Sequence, residues 1–173
     1  MFFSEKHTKG LLQALNPVHK TRMKLETTQQ YIQELGRAQG RYAQMLEIFG
    51  AFRASAEHVA ADNYPIKGIA LTNVSPTEFT VNFLEKTVRF TFSYDHTALR
   101  GVVAVTAAPA PDGEPTGPNW SFQFNGEGEV GDIEPRAKEG AYNVRVDTDA
   151  AEIVLGALQL ALVGRIEAAR LGP

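Results

Sequence analysis

The chain's four histidines, His7, His19, His58 and His96, are the first place to look for chemistry. No two lie three to five residues apart, so the spacing at which one helix offers two imidazoles to a zinc ion is absent. There is no cysteine, which removes disulfides, thiolate nucleophiles and cysteine-based zinc sites together. Asp95 and His96 put a carboxylate beside an imidazole. In a tight turn such neighbours point apart, and no serine close by has the strand-turn-helix setting of a nucleophile. Catalysis there would need a cleft that gathers Asp95, His96, Arg100 and Glu127.

Residues 125–134 carry oxygen-bearing side chains at nearly every second position, which resembles the spacing of a calcium loop. A helix-flanked calcium loop needs glycine at its sixth position and glutamate at its twelfth. Counted from Asn125, those places hold Val130 and Arg136, so a solvated hairpin loop is expected instead. The glycines of this stretch precede no Gly-Lys-Ser/Thr and open no helix, so they do not form a phosphate cradle. The expectation is a protein with no catalytic residue, metal site or cofactor, and therefore not an enzyme.

The elements that would position any site begin with an arm over residues 1–21. Leu11, Leu12 and Leu15 line one short helical face there, which Asn16-Pro17 is expected to stop. A single domain follows over 22–173. Over 22–61 apolar residues recur at steps of three and four: Leu25, Thr28, Ile32, Leu35, Ala38, Tyr42, Met45, Phe49, Phe52, Ala56 and Val59. The even steps break near Gly36 and Gly40, where a kink is plausible because each interior glycine costs about 1 kcal/mol against alanine. Unbroken, such a helix runs roughly 60 Å, against about 40 Å for a domain of this length. It should bend at the glycines or project beyond its own body, and a second copy would cover a projecting apolar stripe.

Over 63–146 the period changes to two. The segments 66–74, 78–84, 88–94, 99–107, 120–124 and 142–146 alternate apolar with polar residues between short turns, one of them at Glu85-Lys86. That is the signature of an antiparallel sheet wet on one face. A meander of five or six strands is expected. Over 149–170 a helix opens with Asp149 and Glu152 at capping-box spacing and is apolar nearly all round, so it should pack on the sheet. The fold class is α+β.

Of the 173 residues, 43% are hydrophobic and 21% charged, as in an ordinary globular protein. The net charge of −3 is unevenly spread. Residues 1–24 hold Lys6, Lys9, Lys20, Arg22 and Lys24 against Glu5 alone, a net +4, whereas residues 112–152 hold ten acids against three bases, a net −7. Such asymmetry lets one copy attract another, although two solvated segments would look the same. Nucleic-acid binding is not expected, because the isoelectric point is near 5.8 and Arg37, Arg41 and Arg53 are dispersed. Met1-Phe2-Phe3 runs at once into polar residues, and the longest apolar run, 153–164, is too short to span a bilayer. A soluble cytoplasmic protein is the expectation.

The surplus of apolar helix surface and the lack of a catalytic constellation point to an interaction or regulatory protein, acting by binding another protein as a homodimer. The expected contact residues are Leu25, Ile32, Leu35, Tyr42 and Met45, joined by Leu11, Leu12 and Leu15 of the arm. The alternative is a carrier of a small molecule or lipid, with an apolar cavity between sheet and C-terminal helix lined by Phe79, Phe83, Phe90, Phe92, Trp120 and Phe122.

Overall fold

The structure, a computed structural model, describes residues 17–108, 117–131 and 142–170, with side chains over 27–108, 117–131 and 142–163. The order of elements is helix α1 (Pro17–Glu57), a 3-10 turn (His58–Ala60), strands β1 (Ala70–Ser75), β2 (Glu78–Phe83), β3 (Lys86–Asp95), β4 (Arg100–Ala107), β5 (Asn119–Phe124), β6 (Glu129–Gly131) and β7 (Tyr142–Asn143), then helix α2 (Asp147–Arg170). The fold class is α+β, as the sequence predicts. Two compact units divide the chain, residues 1–38 and 39–173.

In the larger unit the seven strands follow one another in sequence order, each antiparallel to the next, and the sheet curls into half a barrel. The expected five or six strands become seven because β6 is only three residues long. A run that short shows no alternation, and its sequence is that of a glycine-rich loop. Pairing registers place the large side chains in ranks across the inner face. Phe79 stands opposite Phe90, Phe90 opposite Val105, and Val105 opposite Trp120. In the next rank Phe92 faces Val103 and Val103 faces Phe122. The outer face carries Thr80, Arg89, Thr91, Ser93, Thr106 and Ser121, with an ion pair between Arg89 and Glu78 at 3.2 Å.

Helix α1 enters the inner face through two phenylalanines. Phe52 makes ring contacts with Phe79, Phe90 and Phe122 at centroid distances of 5.6, 5.9 and 5.7 Å. Phe49 stacks on Phe92 at 5.4 Å and meets Phe79 at 5.7 Å. Met45, Ile48, Ala56 and Val59 complete the buried side of this stretch, whose spacing is the helical period. At its end α1 is held to the edge of the sheet: Arg53 donates to the Ser75 carbonyl, and Asn73 donates to the Glu57 carboxylate, both at 3.2 Å.

Helix α2 lies against β2, β3, β7 and the 3-10 turn, with Ala150, Ala151, Ile153, Val154, Ala157, Leu158 and Ala161 buried. Its opening differs from the expected capping box. Asp147, not Asp149, is the first helical residue, so Asp149 lies inside the first turn. The Asp149 carboxylate instead accepts from the Asn143 N–H at 2.8 Å, and Glu152 accepts from the Tyr142 hydroxyl. That bond to Glu152, with partial desolvation and the nearby carboxylates, raises the tyrosine's pKa. The two acids tether the short last strand to the helix.

Other boundaries shift for local reasons. Pro17 opens α1, where its fixed φ and missing N–H suit a first helical position, and the helix passes Gly36 and Gly40 without a break. The β2–β3 turn centres on Leu84-Glu85, one residue earlier than predicted, because Phe83 pairs with Lys86. Both central residues have positive φ, 46° and 64°, the geometry that two-residue hairpins favour.

Gly101 is fixed by contact. A Cβ there would lie 2.2 Å from the Phe124 ring, which is itself buried over the glycine. Gly101→Ala should cost about 1–3 kcal/mol in denaturant unfolding, the usual range for overpacking. Phe52→Ala, which empties the middle of the ring cluster, should cost about 3–5 kcal/mol.

Candidate functional site

The buried side of α1 begins at Met45. None of the eighteen residues from Thr27 to Gln44 is buried, and only Ala38 is half-buried. A helix surrounded by water is expected to be polar on all sides, yet Tyr31 is 59%, Ile32 63% and Leu35 69% exposed. Wound at about 100° per residue, Tyr31, Leu35 and Ile32 fall in an arc of about 100°. Glu34 and Arg37 fall together on another side, within about 60° of one another. Among residues 27–38 the apolar arc contains no charge. Gln30 donates to Glu34 at 3.4 Å, one helical turn on, which keeps the polar side occupied with itself.

The predicted contact residues separate into groups. Ile32 and Leu35 stand in the exposed arc. Tyr42 is 38% exposed, and its ring rests on Phe92 and Tyr94 at 5.9 and 6.4 Å. Met45 is 5% exposed and belongs to the core instead of the exposed stripe. The side chain of Leu25, and the whole of Leu11, Leu12 and Leu15, lie outside the described residues. Tyr31 is absent from the prediction because the stripe was traced through Thr28 and Ile32. Its place one turn before Leu35 was the available signal. A Cβ on Gly36 or Gly40 would meet nothing within 4 Å, so their spacing serves no close contact among the described residues.

The residues weighed for chemistry hold turns. The Asp95 carboxylate accepts from the Thr97 and Ala98 N–H groups at 2.7 and 3.0 Å, closing the β3–β4 turn, and these two bonds lower its pKa. His96 sets its ring edge against Tyr94 at 4.6 Å. Arg100 is the register partner of Asp95 at the start of β4, while Glu127 sits in a different hairpin. In that β5–β6 hairpin the Asn125 side-chain oxygen Oδ1 accepts from the Glu127 and Glu129 N–H groups, each at 3.0 Å, and its side-chain NH2 donates to the Glu129 carboxylate at 2.9 Å. The oxygens that resemble cation ligands thus serve their own backbone. No group of three or more acidic or histidine side chains is placed to hold a metal among the described residues. No helix there is long and apolar enough to cross a membrane.

No family model, curated protein or solved structure matches the chain.

The proposed cavity lining lies on the inner face of the sheet. Phe79, Phe90, Phe92 and Phe122 are buried, Phe83 and Trp120 half-buried. Phe79 and Phe90 stack on one another at 4.7 Å, and Phe52 stands over them. The Tyr94 hydroxyl and the Trp120 ring N–H are buried with no hydrogen-bond partner among the described residues.

In carbon-detected NMR the Asp95 carboxyl should titrate below the ordinary aspartate value, and Asp95→Ala should remove its share of the pH dependence. The sign follows from the lowered pKa: the turn's stabilisation is complete above the ordinary value and is lost as pH falls through the lowered one. Titration at the ordinary value would show the two N–H bonds to be absent in solution.

Proposed function

We propose that this protein acts by binding another protein through its N-terminal helix, as a homodimer, and not by catalysis. One observation carries the reading: Tyr31, Ile32 and Leu35 form a charge-free apolar arc, each more than half exposed, on a stretch of helix with no buried residue. Single exposed apolar residues are ordinary, but a row of them at helical spacing is the form in which a helix presents itself to a groove or to another helix. Water penalises the row at roughly 25 cal/mol per Å² of apolar surface, and a partner that covers it recovers this amount.

The turn residues support the same reading. Asp95 and Asn125, both at places weighed for chemistry, are each committed to backbone N–H groups. The carrier reading draws some support from the two unpartnered donors on Tyr94 and Trp120. It has less overall, because Phe52 occupies the middle of the inner face.

The double substitution Ile32→Asp, Leu35→Asp tests the reading. Sedimentation equilibrium should show the wild-type chain associating and the variant monomeric, with unchanged circular dichroism and unfolding midpoint. Unfolding of the variant would mean that the arc belongs to the protein's own core.

A further inference from the structure

We draw no further inference here: the strongest candidate, the charge-free apolar arc of Tyr31, Ile32 and Leu35 on helix α1, belongs to the site already described, and nothing among the described residues shows what covers it.

Discussion

The fold depends on the insertion of Phe52, with Phe49 beside it, into the hollow of a sheet that does not close. A half-barrel has an inner face lined by apolar side chains that its own strands cannot cover. Phe79, Phe90, Phe92, Val103, Val105 and Phe122 all point into that hollow, and one ring from the helix touches three of them. The contacts are edge-on as often as stacked, the arrangement aromatic quadrupoles prefer. Strand pairing sets which side chains face inward, but it is the helix that removes them from water. Sheet and helix each need the other to bury an apolar face, so neither is expected to persist alone.

Around that core the polar side chains keep the chain's short connections in shape. Asp95 and Asn125 each accept two backbone N–H groups in their own turns, and Asp149 with Glu152 ties β7, only two residues long, to the last helix. A two-residue strand at a sheet margin has little pairing of its own. The helix that follows it holds it in register. This explains why acidic and amide residues crowd the last third of the sequence without forming a binding cluster among the described residues.

Much of this was legible in the residues. Alternation shows β2, β3 and β5 with their inward faces, because a half-buried strand must alternate, and it shows β4 as a strand. Other features depend on contacts that periodicity does not encode. β6 was missed because three residues carry no pattern. The capping box was misplaced because Asp149 has the right spacing for a cap but a nearer demand from the Asn143 N–H. Met45 was assigned to the exposed stripe, since a repeat of threes and fours continues across the point where helix α1 meets the sheet. The sequence shows the repeat, and only packing shows that Tyr42 is half-open to water while Met45 is closed off. In the exposed stretch of α1, spacing singles out Ile32 and Leu35, whereas Tyr31 stands out only by its exposure.

The open half-barrel also leaves a margin at β1, whose six residues, Ala70–Ser75, carry no charge at all. An uncharged edge is a template on which further strands can grow, and proteins commonly blunt such edges with lysine or proline. Here the register slips between Asn73 and Ser75, Pro76 follows directly, and the last turns of α1 reach across to hold Asn73 and Ser75. Arg53 and Glu57 therefore do more than seat a helix end: Arg53 takes up the Ser75 carbonyl of a bare margin and Glu57 the side-chain amide of Asn73, so the end of this edge is less open to a further strand.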